Sequence, residues 1–271
     1  MTTAEAFAPA KINLTLHVTG QRADGYHLLD SLVVFAGIGD TLTATPAADW
    51  SLSVTGPMAA GVPTGDDNLV LRAARMATDR PHAFTLDKHL PAAAGIGGGS
   101  ADAAAAIRLC GGDGQGAVAL GADIPVCLAG PGPVRMRGVG EVIDPLPNLP
   151  PLWVVLVNPR VTVSTPAVFK SLTEKTNPPM PPDIPRFPTA GPVIAWLKRQ
   201  RNDLAAPAMQ HAPVISDVLA ALSPAPFAAM SGSGATCFGL CMTENAAARL
   251  ASDITRAHPA WWVASAPILS R

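Results

Sequence analysis

The segment Pro91-Ala-Ala-Ala-Gly-Ile-Gly-Gly-Gly-Ser-Ala-Asp-Ala-Ala-Ala-Ala106 sets Gly95, Gly97, Gly98 and Gly99 directly before a run of helix formers. Glycine has no Cβ, so successive backbone N–H groups can curl around an anion. A helix starting behind them adds unpaired N–H groups and the positive end of its dipole. That is a phosphate cradle; the alternative is a glycine-rich surface turn ahead of an ordinary helix. Ser100, at the junction, is placed to cap the helix or to turn its hydroxyl toward a phosphate or a metal. The cradle is no Walker A loop, because no lysine follows Gly99, and it is a poor dinucleotide fingerprint, because Ser100 stands where the third glycine or alanine belongs. A second glycine-rich turn, Met230-Ser-Gly-Ser-Gly-Ala-Thr236, lies near the C-terminus. Two charged residues sit in short apolar motifs: Lys11 in Pro9-Ala-Lys-Ile-Asn-Leu14 and Asp123 in Leu120-Gly-Ala-Asp-Ile-Pro125. Read alone, Lys11 is an exposed strand lysine and Asp123 caps a turn before Pro125.

Composition narrows the partners. Hydrophobic residues make up 48% of 271 and charged residues 14%, with a net charge of −1 and no lysine or arginine block. A globular fold with a large core follows, and nucleic acid or an anionic membrane surface is excluded as the main partner. The short cluster Lys198–Arg201 reads as a solvated helix end. No apolar run approaches the roughly 20 residues of a membrane span, and the first residues lack the positive region of a secretory signal. Cys110, Cys127, Cys237 and Cys241 stand among apolar neighbours without zinc-ligand spacing, so they read as buried reduced thiols of a cytoplasmic protein.

Around the motifs, alternation from Lys11 to about residue 19 predicts a strand. Leu32–Phe35, Thr41–Ala44 and Ser51–Thr55 read as further strands of one sheet. Asp66 or Asp67 is expected to cap a helix reaching about Asp79, with Leu69, Ala73, Met76 and Ala77 on one face. Ala83–Asp87 is a strand leading into the glycine loop, and Ala101–Cys110 the helix after it. The proline-rich stretch Asp144–Pro151 reads as a connector between halves, which puts domains at 1–148 and 149–271. Trp153–Val157 is a buried strand, and the proline-rich Asn177–Pro192 an irregular excursion. Helices then alternate with strands to the end.

Together the four motifs, with Arg22-Ala-Asp-Gly-Tyr-His27, resemble in order and spacing the superfamily of galactokinase, homoserine kinase, mevalonate kinase and phosphomevalonate kinase. Within it, the Pro-Ala-Lys-Ile-Asn opening and the Asp-Gly-Tyr-His block resemble the 4-diphosphocytidyl-2-C-methyl-D-erythritol kinases. The resemblance covers most of the chain. It implies an α+β, two-domain small-molecule kinase fold with a ribosomal-protein-S5-like N-terminal domain, an α/β C-terminal domain and the active site in the cleft between them. It further implies ATP and magnesium, and a cytidine diphospho-methylerythritol acceptor phosphorylated on its 2-hydroxyl. Its catalytic pair falls on Lys11 and Asp123. Its nucleotide contacts fall on Pro91, Gly95, Ile96, Gly97, Gly98, Gly99, Ser100 and Ala101 through the loop backbone, and on Asn68 and Lys88 near the adenine. Its acceptor contacts fall on Asn13, Tyr26, His27, Thr165, Ser231, Gly232 and Gly234. Ser100 matches a magnesium ligand, without an evident glutamate beside it. The segment between Cys110 and Leu120 is shorter than the family's. A monomer or weak homodimer is expected. The competing readings are a same-fold kinase for homoserine, mevalonate or a sugar, and a catalytically silent nucleotide-binding module.

Overall fold

One long strand organises the N-terminal half. A computed structural model describes residues 3–271, and in it β3 runs unbroken from His27 to Pro46. Strand β1 (Ala4–Asn13) pairs antiparallel along it from Ala44 to Val33, and β2 (His17–Gln21) pairs with its start. β4 (Ser51–Thr55), β5 (His82–Asp87), β6 (Val134–Gly138) and β7 (Val142–Pro145) complete a seven-stranded sheet in the order β4-β5-β3-β6-β7. The segments Leu32–Phe35 and Thr41–Ala44, expected as separate strands, are two parts of β3. Gly39 joins them: a Cβ there would collide with the backbone of Ala8 and Pro9, where β1 bulges between Pro9 and Lys11.

Helix α1 (Leu69–Ala77) differs from expectation in its cap and its face. Asn68, not Asp66 or Asp67, caps it by accepting the Val70 N–H at 2.8 Å. The buried face is Val70, Leu71, Ala73 and Ala74, which leaves Met76 exposed. Helix α2 (Gly98–Leu109) starts three residues earlier than its alanine run suggests, with Gly97 at the cap position and Ser100 inside the first turn rather than at the junction. Ala103 to Ile107 are fully buried, so α2 lies close against α1 and β1. A 3-10 turn (Ala117–Ala119) leads to the short α3 (Ile124–Leu128).

The C-terminal half carries a four-stranded antiparallel sheet in the order β11-β8-β10-β9, built from β8 (Trp153–Asn158), β9 (Phe227–Met230), β10 (Cys237–Cys241) and β11 (Trp262–Pro267). Helices α4 (Thr165–Lys170), α5 (Ala190–Leu197), α6 (Ala205–His211), α7 (Val214–Ala221) and α8 (Glu244–Ala257) surround it. The halves share a core layer: Ile12, Leu32 and Val34 of the first sheet pack in one cluster with Leu156, Phe238 and Leu240 of the second. The proline-rich stretch stays irregular up to α5, whose first turn takes in Pro192. It is strapped down rather than loose. Arg135 pairs with Asp30 and donates to the carbonyls of Met180, Pro181 and Pro182.

Candidate active site

The β1 bulge brings Lys11 into a sealed position facing the glycine loop. Its N–H donates to the Ile96 carbonyl at 3.0 Å, and its Nζ donates to Asn13 Oδ1 at 2.9 Å and meets Asp123 Oδ2 at 2.8 Å. Lys11 is 3% exposed, whereas the Asp123 side chain is 34% exposed. Asp123 stands at the cap position of α3 without capping it, so its carboxylate is free for Lys11 and for the space beyond. Asn13 is itself fixed, donating its side-chain amide to Ser31 at 2.8 Å. The loop approaches this pair at Gly97, whose φ of 64° lies in the left-handed region. A Cβ on Gly97 would come within 3.2 Å of Lys11, so only glycine lets backbone and lysine meet here.

The second glycine turn buttresses the first. Ser231 Oγ accepts the Asn13 N–H at 3.1 Å and donates to the Gly95 carbonyl at 2.9 Å. The Thr236 N–H bonds the Ala94 carbonyl at 3.2 Å, and the Asn202 amide holds the carbonyls of Met230 and Gly232. Loop, lysine and C-terminal turn are one hydrogen-bonded unit.

Three adjoining cavities run past it. The central one, about 410 Å³, is bordered by Lys11, Asp123, the Gly97–Ser100 backbone, Thr165 and Ser233, and Thr165 Oγ1 lies 2.7 Å from Ser233 Oγ. A second of about 570 Å³ shares Leu29, Ala122, Thr165 and Phe169 with it and is lined by Tyr26, His27, Lys170 and Lys175. There the His27 ring stacks on Phe169, centroids 4.8 Å apart and planes 25° from parallel. Burial, and then the Lys175 charge, lower the pKa of His27, which keeps its ring neutral, and its Nε2 has no hydrogen-bond partner. The third cavity, about 230 Å³, shares Leu69, Ala93 and Gly99 with the central one and is bordered by Asn68, Lys88 and Asp102. The layout suits a long bisubstrate arrangement, with a base or ring at each end and phosphates meeting a charged pair in the middle.

Two family models match this chain: the N-terminal domain of the GHMP kinases over residues 68–112, and the GHMP kinase C-terminal domain over residues 189–260. The chain is 57% identical to a 4-diphosphocytidyl-2-C-methyl-D-erythritol kinase of Cereibacter sphaeroides, over 97% of this chain and 98% of that protein. It is 58% identical to the kinase of the same description from Dinoroseobacter shibae, over 95% of this chain and 92% of that one. A crystal structure of 4-(cytidine 5'-diphospho)-2C-methyl-D-erythritol kinase superposes with a TM-score of 0.76 at 32% identity, covering 99% of this chain and all of that one. The chain belongs to the 4-diphosphocytidyl-2-C-methyl-D-erythritol kinase family. As a GHMP kinase it has the two-domain α+β fold that the resemblance implied.

In this kinase, most residues singled out from the sequence converge on the cleft. Lys11, Asn13, Gly95, Gly97, Gly98, Gly99, Ser100, Asp123, Thr165 and Gly232 border the central cavity, Tyr26 and His27 the second, and Asn68 and Lys88 the third. Others stand behind the wall. Pro91 and Ile96 are buried, and Ile96 offers its carbonyl to Lys11. The Ala101 N–H closes the first helical bond to Gly97, so the unpaired N–H groups of the helix start belong to Gly98, Gly99 and Ser100. Ser231 is fully buried and uses its hydroxyl between Asn13 and Gly95, while Gly234 lies against Met230 and Ile215. The Lys88 ammonium is paired with Asp40 and Asp102, both buried. Phe169, Asp40, Asp102 and the hydroxyl of Ser233, whose turn was expected to act through its backbone, were not singled out from the sequence. Phe169 had a signal, since it follows Thr165 by one helical turn and shares its face.

Proposed function

We propose that this kinase transfers the γ-phosphoryl group of ATP to the 2-hydroxyl of 4-diphosphocytidyl-2-C-methyl-D-erythritol, a step toward isoprenoid precursors by the non-mevalonate route. The observation that carries the reading is the 2.8 Å contact between a sealed Lys11 and a cavity-facing Asp123 beside the glycine-rich helix start. Phosphoryl transfer needs little covalent help from the protein; it needs positioning and charge stabilisation. Asp123 orients the acceptor hydroxyl and takes its proton. Lys11 fixes Asp123 and carries positive charge toward the transferring group. The N–H groups of Gly98, Gly99 and Ser100 and the α2 dipole hold the β- and γ-phosphates. Asn68 and the small cavity around it take the adenine. Tyr26, His27 and Phe169 hold the cytosine, with flat rings that match a flat base. Asn13, Thr165 and the Ser231–Gly234 turn bound the erythritol and diphosphate. The division at 148/149 follows the break between the two sheets, the first carrying nucleotide and catalytic residues and the second closing over the acceptor.

Magnesium travels with the nucleotide in this reading. Among the described residues no three histidine, cysteine or acidic side chains converge as a metal site. Ser100, at the central cavity, would offer the ion a single hydroxyl, and phosphate oxygens and water would supply the rest, which suits a cation that dehydrates reluctantly. When bound, the ion neutralises phosphate charge. Among the described residues no helix is long and apolar enough to cross a membrane; four free thiols support a cytoplasmic setting.

The test is ADP release with ATP and magnesium, offering the cytidyl diphospho-methylerythritol beside homoserine, mevalonate and galactose. Turnover with the first alone is expected. Turnover with another acceptor moves the substrate to the same-fold alternative. ATP binding without turnover on any of the four leaves the silent module.

A further inference from the structure

Asp40 stands where the first sheet releases the chain that becomes the glycine loop. The β3–β5 ladder ends at the pair Thr41 and Asp87. Asp40, the adjacent residue of β3, continues the hold with its side chain. Its Oδ1 accepts the N–H of His89 at 2.6 Å and of Leu90 at 2.8 Å, and its Oδ2 pairs with Lys88 Nζ. Three consecutive residues are tethered to one carboxylate, and the next is Pro91. Lys88 passes the hold onward: its Nζ bonds Asp102 Oδ2 at 2.7 Å in α2, and lies 3.2 Å from where a side chain on Gly98 would begin. Asp40 is 0% exposed, Lys88 and Asp102 3% each. Two carboxylates and one ammonium out of water are a costly choice where an apolar cluster would serve stability as well or better. What the cluster provides that an apolar one cannot is a fixed set of directional bonds. They run from β3 to both ends of the loop.

We propose that Asp40 is a positioning residue for the nucleotide: through Lys88 and the N–H groups of His89 and Leu90 it sets where the glycine loop and the first turn of α2 meet the triphosphate. It touches neither nucleotide nor acceptor. The inference rests on the loop being the ATP cradle. Lys11 and Asp123 are held from the other side, by Ile96, Asn13 and the Ser231 turn. Loss of the Asp40 tether therefore weakens nucleotide binding and leaves the chemical step in place.

Asp40→Asn is the informative variant. It leaves Lys88 and Asp102 as a neutral pair, so no ion is stranded. The amide has one acceptor, and its NH₂ faces either the Lys88 ammonium or the two N–H groups, so one tether is lost whichever way it turns. Isothermal titration calorimetry with ATP and magnesium is expected to give a dissociation constant about tenfold higher. The KM for ATP rises alike, while kcat and the acceptor KM stay within about threefold. Leu42→Ala, two residues along β3 and fully buried, is the control for plain destabilisation; it lowers thermal stability at least as much and binds ATP as the wild type does. Should Asp40→Asn fail to fold, hydrogen exchange on the wild type decides: the amides of His89 and Leu90 are protected before nucleotide is added, and fast exchange there overturns the tether. Wild-type ATP affinity in Asp40→Asn, or an equal loss in kcat and acceptor KM, also overturns it. A wild type that binds no ATP removes the cradle reading itself.

Discussion

Gly97 and Gly98 are neighbours in the chain, and each touches a different buried lysine. Gly97 lies against Lys11, whose carboxylate partner Asp123 is 34% exposed and borders the central cavity. Gly98 lies against Lys88, whose partners Asp40 and Asp102 are sealed to 0% and 4% of their side-chain surface. The ingredients are the same and the outcomes differ. An ammonium whose carboxylate can reach a cavity can act on a substrate. An ammonium enclosed by carboxylates can only hold strands and helices in register. In the proposed reading, access more than residue type separates chemistry from architecture on the two sides of one loop.

The sharpest way to break this comparison is Asp123→Asn. If the open centre does the chemistry, kcat falls by about 10²–10⁴-fold with little change in ATP affinity, read by ADP release and calorimetry. Full activity removes Asp123 from the mechanism and makes both centres architectural. Lysine removal reverses the order of damage. Lys88→Met leaves the buried Asp40 and Asp102 without their cation and is expected to cost about 3–5 kcal/mol in urea unfolding. Lys11→Met leaves a carboxylate that water already reaches, and its cost is about 1 kcal/mol or less after screening. Equal costs would mean that burial does not distinguish the centres. At the glycines, Gly97→Ala forces a left-handed residue at about 1–2 kcal/mol and presses on Lys11, so kcat falls with stability. Gly98→Ala, inside the helix with no left-handed backbone to strain, presses at 3.2 Å on the Lys88 Nζ held by Asp40 and Asp102 and meets Leu90 at ordinary contact distance, so it costs less.

The glycines of the open centre were legible in the sequence, its Lys11 and Asp123 only through the resemblance, and the closed centre not at all, for a physical reason. Glycines 95, 97, 98 and 99, Lys11 and Asp123 lie in short motifs whose local composition already restricts the backbone. Asp40 acquires its role only when β3 comes beside β5, 48 residues away from Lys88, and nothing around Asp40 announces the pairing. Lys88 was expected near the adenine, and it does border the small cavity, but tertiary pairing takes up its charge. The same limit explains the helix cap, where Asp66 or Asp67 was expected and the turn geometry instead chooses Asn68 beside them. Two strand segments became one because Gly39 allows a close approach that alternation alone does not reveal. The fold class, the pairing of Lys11 with Asp123 and the cytidyl acceptor came from the resemblance, since neither composition nor periodicity carries them.

The last expected effect concerns the closed centre alone. Burial, with Asp40 beside it and only partly offset by Lys88, pushes the Asp102 carboxyl up to about 7. The folded state therefore holds a proton there that the unfolded chain, near pH 4, has already released. The stability contributed by this group is complete below about pH 4 and is lost as pH rises through about 7, with a slope of at most about 1.4 kcal/mol per pH unit. Lys88 is shifted in the other direction of charge, above its ordinary value, so its own contribution persists to strongly alkaline pH and does not blur this window. Asp102→Asn keeps an oxygen for Lys88 and cannot ionise. Melting temperatures measured from pH 4.5 to 8 are expected to fall more steeply in the wild type than in this variant, the two curves separating toward the alkaline end. Parallel curves would mean that Asp102 stays ionised throughout, and that the sealed cluster carries a full negative charge behind the glycine loop.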